Sequence, residues 1–235
     1  MVSAVIVAGG SGLRMGAPVK KQYLSLSGTP IVVHTLKALD RFSALNRMVL
    51  VVPEADLDWC QDHLIVPFSF DHPVHLTSGG RERQDSVMRG LAALAGGGND
   101  IVMIHDGVRP FVRTSLMEKL VDHAKRTGAC IPVVPATDTL KQGDETGMII
   151  RTLDRRNIYL AQTPQVFRLD MIRKAYQNLP KSGVTVTDDA SVAEVAGNPV
   201  QMIPGDPFNI KITTPADLII ARVIHQEKDD RSILS

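Results

Sequence analysis

The chain has 235 residues, of which 44% are hydrophobic and 22% charged, an ordinary globular mixture that excludes a disordered chain. Its 26 basic and 25 acidic side chains leave a net charge of +1, without the basic excess of a general nucleic-acid or membrane-surface binder. One Trp, three Tyr and six Phe provide few stacking platforms for single strands.

The chain opens on Met1-Val2-Ser3-Ala4-Val5-Ile6-Val7-Ala8, which is apolar but short and runs straight into Gly9-Gly10. Lacking a basic stretch before it, this segment reads as a buried strand at Ala4–Ala8 and not as a signal peptide. A helix is expected to open at Thr29-Pro30, with Thr29 as cap and Pro30 in the first turn, and to run to about Arg41. Strands at Arg47–Val52 and Pro73–Thr77, a helix from about Arg83 to Leu94 and a strand at Ile101–His105 follow. Next come a helix at Ser115–Arg126, capped by Thr114 and stopped at Gly128, and a strand at Ala129–Val134. The strand segments are apolar almost continuously, as strands buried on both faces should be. Their alternation with helices predicts an α/β fold with a doubly wound, mainly parallel sheet.

The rhythm breaks after Val134. Residues 137–156 are polar, and Thr137–Lys141 and Met148–Leu153 flank a turn at Gln142–Gly147, which predicts a protruding two-stranded β-arm. An isolated hairpin is marginal in water, so the arm is expected to pack on something, a second subunit included. Helices are expected near Leu169–Gln177 and Ala190–Ala196, a strand at Asn209–Thr213, and a last helix from Pro215 to about Gln226 with a frayed polar tail, 227–235. Cys60 and Cys130 form no CxxC pair and suggest no disulfide framework. No window holds about 18 uninterrupted apolar residues, so no membrane-spanning helix is expected. A cytoplasmic globular protein, with neither nucleic acid nor membrane as partner, is the expectation. The seven histidines show no metalloprotease-type spacing, and no structural zinc site is expected.

The chemistry starts at the first strand's end, Ala8-Gly9-Gly10-Ser11-Gly12-Leu13-Arg14-Met15-Gly16. Glycine lets backbone N–H groups approach phosphate oxygens, and a glycine turn after strand one is where α/β proteins hold nucleotides. The Walker A pattern fails because no glycine is followed by Lys-Ser or Lys-Thr. The dinucleotide pattern fails at Met15, which stands where its third glycine belongs, and no acidic residue follows at the expected distance. What remains is a GGxGxRM loop followed by Lys20-Lys21-Gln22-Tyr23, whose Arg14 and Lys21 could fold over a triphosphate.

With this loop, the segments Gly79-Gly80-Arg81-Glu82-Arg83-Gln84-Asp85-Ser86-Val87, His105-Asp106-Gly107-Val108-Arg109-Pro110, Asp154-Arg155-Arg156 with Ala161-Gln162-Thr163-Pro164-Gln165, Thr187-Asp188-Asp189-Ala190 and Asn209-Ile210-Lys211-Ile212-Thr213 occur in order. On these six segments the chain resembles the sugar-phosphate nucleotidylyltransferases. Within them it looks most like the family of cytidylyltransferases acting on 2-C-methyl-D-erythritol 4-phosphate in non-mevalonate isoprenoid synthesis. The resemblance covers almost the whole chain. It implies a single Rossmann-like nucleotidyltransferase domain over 1–235, whose arm at about 137–156 serves dimerisation. The substrates it implies are CTP and a sugar-alcohol phosphate, with Mg2+ bound alongside the CTP.

The resemblance also implies roles. Arg14 and Lys21 match positions that stabilise the transition state at the α-phosphate, and Arg155 and Lys211 match positions that hold the attacking phosphate. Ala8, Gly9, Gly10, Gly12, Gly80, Ser86 and Gly107 match the nucleotide side. Asp106, Arg109, Thr139, Thr163 and Thr187 match the substrate side, and the arm bearing Thr139 reaches a neighbouring subunit in the family. The residues alone leave alternatives open. Lys211 also suits an edge strand, Arg155 a solvated surface, and Ser86 an ordinary early helix position. Asp106 suits either a metal or a sugar hydroxyl, and His105 a buried strand end more than a base. Relatives commonly carry alanine at the Gly107 position, which implies a looser loop here, and an acidic residue at the Phe208 position. Two other functions remain to be weighed: transfer to another polyol phosphate such as ribitol 5-phosphate, and nucleotide binding without turnover in a regulatory protein. An NAD-binding module is disfavoured by the broken dinucleotide pattern.

Overall fold

A computed structural model describes residues 1–10, 20–180 and 186–233, with side chains as far as 227. In chain order the strands and helices are β1 (Val2–Val7), β2 (Ser25–Leu26), β3 (Thr29–Pro30), α1 (Ile31–Asp40), β4 (Arg47–Val52), α2 (Leu57–Cys60), β5 (Val74–Ser78), α3 (Arg83–Ala92), β6 (Ile101–Asp106) and α4 (Thr114–Thr127). They continue with β7 (Ala129–Pro135), β8 (Leu140–Gly143), β9 (Ile149–Leu153), β10 (Tyr159–Ala161), β11 (Gln165–Arg168), α5 (Leu169–Gln177), α6 (Asp189–Val195), β12 (Gln201–Pro204) and α7 (Pro215–Ile233).

Eight strands form one sheet in the order β10-β7-β11-β6-β1-β4-β5, with β12 added beside β7. The β1–β4, β1–β6, β4–β5 and β12–β7 pairs are parallel, whereas β10 and β11 pair antiparallel with their neighbours. The doubly wound, mainly parallel expectation therefore holds, with an antiparallel insertion at one side.

Period-two alternation sends neighbouring strand residues to opposite faces. Ile6, Met48, Leu50 and Met103 pack with Leu36 of α1 and Leu120 of α4 on one side. Val5, Val49, Val51 and Ile104 pack with Val87 of α3, Ile172 of α5 and Ala193 of α6 on the other. These strand residues are completely buried. Each such side chain contributes about 1.5–3 kcal/mol, which makes the central strands the rigid base of the molecule. A third cluster of Leu26, Ile31, Val108, Phe111, Ile212, Ala221 and Ile224 fastens α7 beside the carboxyl end of β6.

Several expectations need correcting. Thr29-Pro30 pairs with Ser25–Leu26 as a short hairpin, so α1 begins at Ile31 with Pro30 in the capping position. Thr114 lies inside α4 and does not cap it; the stop at Gly128 is as expected, with φ 93° and its N–H on Ala124 O at 2.8 Å. Asn209–Thr213 forms no strand, and the strand of that region is β12. The tail expected to fray is helical to Ile233. The arm is present as β8 paired antiparallel with β9. No helix among the described residues is long and apolar enough to cross a membrane.

Candidate active site

The carboxyl ends of β1 and β6 lie side by side, and ligands of open α/β sheets bind along that edge. A cleft of about 350 Å³ opens there, lined by Val7, Ala8, Gly9, Gly10, Lys21, Gln22, Gly80, Arg81, Glu82, Arg83, Ser86, Asp106, Val108 and Lys211.

Its floor is the chain leaving β1. Ala8 N–H donates to Val51 O at 2.8 Å, and Gly107 N–H donates to Val7 O at 2.9 Å. The Gly107 carbonyl accepts from the Thr35 hydroxyl at 3.0 Å, so the loop expected to be looser is fastened through both its N–H and its carbonyl. Buried Gln22 donates to Ala8 O at 2.7 Å and Gly10 O at 3.2 Å, which fixes where the chain re-enters beside Lys21. One wall is the start of α3, held by a reciprocal cap between Glu82 and Asp85. Gly80 has no room for a side chain, because a Cβ there would lie 2.1 Å from Asp85 Cβ. Its N–H donates to Ser86 Oγ at 3.1 Å, and that hydroxyl donates to Glu82 O at 3.1 Å.

The electrostatic centre is Asp106, the last residue of β6, only 6% exposed. Its carboxylate meets Lys211 Nζ at 3.0 Å, Arg109 Nε at 3.2 Å and Arg83 Nε at 3.8 Å. Burial alone would raise its pKa, but Lys211, Arg83 and Arg109 outweigh it and hold the carboxyl well below the usual range. Arg83 lies bidentate on the wholly buried Asp189 at 3.0 and 2.7 Å. Tyr176 donates to the same carboxylate at 2.6 Å. Burial would lower the Arg83 pKa, yet Asp189 and Asp106 raise it.

Behind Asp106 lies fully buried His105. Its Nε2 faces the Arg109 carbonyl and its Nδ1 the Thr163 hydroxyl, each at 3.0 Å. A carbonyl only accepts, so Nε2 carries the proton and Nδ1 accepts from Thr163. Thr163 Oγ1 accepts in turn from Asp106 N–H at 3.1 Å. Burial pushes the His105 pKa down to about 4, so the ring is neutral and fully engaged, a strand-end residue and not a base.

Of the residues singled out from sequence, Ala8, Gly9, Gly10, Lys21, Gly80, Ser86, Asp106 and Lys211 meet in the cleft. Arg109 and Thr163 are buried behind it and brace Asp106. Thr187 lines a neighbouring recess of about 80 Å³ with Arg83 and Asp188. Lys211 is in no strand; its segment is held by Ile212 N–H on Val108 O at 3.0 Å and by Arg109 Nη1 on Asn209 O at 2.7 Å. Thr139 and Arg155 are exposed, and Arg155 donates to Thr137 O at the foot of the arm. Gly12 and Arg14 lie outside the described residues. Sequence reasoning assigns no role to Arg83 or Asp189. Both stand inside motifs already quoted, but nothing in a linear sequence pairs residues 106 positions apart.

Three cations stand at Asp106, Lys211 and Arg109 on Oδ2 and Arg83 3.8 Å from Oδ1, so positive charge is already supplied where a metal is one of the two expectations. Among the described residues no group of three His, Cys, Asp or Glu is spaced to hold a divalent ion unaided.

The family model described as IspD, 2-C-methyl-D-erythritol 4-phosphate cytidylyltransferase, matches residues 2–227. A protein of that name from Syntrophus aciditrophicus is 44% identical over 230 residues, covering 98% of each chain. Another from Geobacillus kaustophilus is 44% identical over 222 residues, covering 94% of this chain and 95% of the relative. The crystal structure of 4-diphosphocytidyl-2C-methyl-D-erythritol synthase from Anaerococcus prevotii aligns with a TM-score of 0.82 at 32% identity, over 96% of both chains. That of the cytidylyltransferase from Thermus thermophilus aligns with a TM-score of 0.75 at 27% identity, over 94% of this chain and 98% of the other.

Proposed function

The chain belongs to the 2-C-methyl-D-erythritol 4-phosphate cytidylyltransferase family, and from that premise we propose that the cleft around Lys21, Asp106 and Lys211 is its active site, within one domain over 1–235. The reaction is CTP-dependent transfer of a cytidylyl group to 2-C-methyl-D-erythritol 4-phosphate in isoprenoid biosynthesis, giving 4-diphosphocytidyl-2-C-methyl-D-erythritol and pyrophosphate.

The substrate's phosphate monoester carries roughly −1.5 to −2 at neutral pH and is itself the nucleophile, so no general base is demanded. One of its oxygens bonds to the α-phosphorus of CTP. The bond to the bridging oxygen breaks in line, and its electron pair leaves with pyrophosphate. The protein's task is alignment and charge neutralisation. Lys21 and Arg14 stabilise the charge that develops at the α-phosphate. Lys211 and Arg155 hold the attacking phosphate. Asp106, ionised throughout the working pH range, aligns Lys211; Arg109 and Thr163 act through Asp106. The Gly80–Ser86 wall reads the cytosine edge, where an unpaired polar group on a wrong base is costly. A Mg2+ ion bound with the triphosphate would supply further charge neutralisation there.

The observation that carries this reading is the convergence of Lys211, Arg83 and Arg109 on one buried carboxylate at the sheet edge, beside a glycine-lined floor. Thr139 and Arg155 are exposed at the foot of the arm and do not line the cleft, and an arm that crosses to a second copy would bring them to a cleft. The arm's Met148, Ile149 and Ile150, exposed by 68%, 63% and 59%, suit such an interface, and a homodimer through 137–156 is the arrangement proposed. Pyrophosphate release across four nucleoside triphosphates and several sugar-alcohol phosphates tests the assignment. Turnover is expected with CTP and 2-C-methyl-D-erythritol 4-phosphate. Better turnover with ribitol 5-phosphate, or CTP binding with no pyrophosphate released, overturns it.

A further inference from the structure

The segment that delivers Lys21 has little structure of its own. It is one 3-10 turn, Lys21–Tyr23, with no side-chain cap. Turns of this kind have poor hydrogen-bond geometry, and a lysine ammonium on a flexible four-carbon stem is easily misplaced.

What holds the turn comes from far along the chain. Asp56 ends a second 3-10 turn, Glu54–Asp56, just after β4. Its two carboxylate oxygens accept from Lys20 Nζ at 2.7 and 2.6 Å, and one of them also accepts from the Tyr23 hydroxyl at 2.8 Å. One side chain thus grips the residue before Lys21 and the residue after Gln22. Tyr23 is fixed further by the Cys60 thiol, which donates to its hydroxyl at 3.3 Å, and by the Trp59 ring 4.8 Å away. Trp59 stacks in turn on His63 at 4.8 Å and 8°. Burial and the bonds to Cys60 and Asp56 push the Tyr23 pKa far up, so the phenol keeps its proton.

The two neighbouring lysines therefore divide the work. Lys20 is paired with Asp56 and is not among the cleft-lining residues, whereas Lys21 is. We infer that Asp56 is a positioning residue for the known reaction: by clamping Lys20 and Tyr23 it fixes the turn that carries Lys21 into the cleft. The inference rests on the assignment of Lys21 to the α-phosphate. The pair is partly exposed, at 35% for Lys20 and 17% for Asp56, and ion pairs near the surface add little to stability. Its loss is felt in where Lys21 points more than in whether the chain folds.

Four variants test this by steady-state kinetics and thermal unfolding: Asp56→Ala, Asp56→Asn, the exchanged pair Lys20→Asp with Asp56→Lys, and Lys21→Ala as reference. Because a displacement of about 1 Å can cost on the order of 100-fold, Asp56→Ala is expected to lower kcat about 10- to 100-fold. KM for the alcohol phosphate stays within about twofold, Asp56→Asn is milder, and the exchanged pair regains about tenfold of the loss. If Asp56→Ala turns over like the parent while Lys21→Ala is inactive, the clamp is refuted and the Lys21 assignment stands. If Lys21→Ala is near normal, both fall. A kcat loss matched by a large drop in Tm, with no recovery in the exchanged pair, also refutes a positioning role.

Discussion

The carboxyl end of β6 and the arm of β8 and β9 both carry charged residues, under opposite conditions. At β6 the Asp106 carboxylate is buried, its pKa is held down by three cations, and a neutral His105 fixes the Thr163 hydroxyl that accepts from the Asp106 N–H. On the arm, Lys141 bonds Thr152 and Arg151 bonds Gln142 at exposed positions, and Arg156 bonds the exposed Asp154 close by. Water and salt screen the second set, whereas the first acts in a low dielectric at fixed distances. On the proposed assignment, the difference teaches that one half of the reaction centre is finished by the fold of a single chain. The other half consists of side chains that gain force only when something covers them.

The sharpest way to break that comparison is to disable each half separately. Lys211→Ala and Arg155→Ala should each lower turnover by on the order of 10²–10³-fold, or about 3–4 kcal/mol of barrier, with CTP affinity largely kept. If the arm serves its partner's cleft, subunits of the two variants mixed at random should recover about a quarter of parental turnover, since half the dimers then hold one intact centre of two. A pyrophosphate assay on the mixture reads this directly, and a mixture as inactive as its components would place Arg155 and Lys211 in the same chain's centre.

A second expectation concerns pH and belongs to the buried half alone. His105 titrates near 4 in the fold against 6.5 when unperturbed. Between these values the unfolded chain binds more protons, so stability is complete above about 6.5 and falls as the pH drops toward 4, by at most about 3 kcal/mol. Urea midpoints at pH 7, 5.5 and 4.5 should decline in that order, and a flat series would mean that the ring is not buried neutral. The exposed arm carboxylates should add nothing measurable.

The smallest effect is expected from Gly107→Ala. A Cβ there would lie 3.0 Å from Ala8 Cβ and 3.2 Å from Val7 O, so the neighbours must give by a few tenths of an ångström. The cost should be about 1 kcal/mol by urea unfolding with turnover little changed. A loss several times larger would show that the floor of the cleft cannot adjust.

How much of this is legible in the sequence depends on whether a segment's fate is decided locally. The strands β1, β4, β6 and β7 can be read because their apolar, β-branched runs carry few polar residues. β10, β11 and β12 are only three or four residues long, and tertiary pairing rather than pattern makes them strands. Of the three Thr-Pro dipeptides, those at residues 29–30 and 214–215 read as helix starts. At Thr214 it is one: Asp217, three residues on, accepts from Thr214 N–H at 2.8 Å, and Asp217 N–H donates to the Thr214 hydroxyl at 3.3 Å. At Thr29 the corresponding position is Val32, which can return no such bond, and the dipeptide joins a hairpin instead. Residues 227–233 defeat the expectation of a frayed tail because polarity is no helix stop; they contain neither Gly nor Pro. In the site, Lys21, Asp106 and Lys211 can be named from local motifs. The pairings of Arg83 with Asp189 and of Asp56 with Lys20 exist only once distant elements meet.

The bidentate contact between Arg83 and Asp189 has a consequence for how the two substrates meet. It ties the mouth of α3, where Ser86 stands, to the first residue of α6, directly after Thr187 and Asp188. On the proposed assignment, the span between the nucleotide wall and the alcohol wall is thereby a preset gauge. Neither reactant has to draw the walls together, and less of its docking entropy is lost in ordering them. On that assignment a bulkier alcohol would have to stretch a partly buried ion pair to enter, so the contact that joins the two walls would also limit the size of the guest.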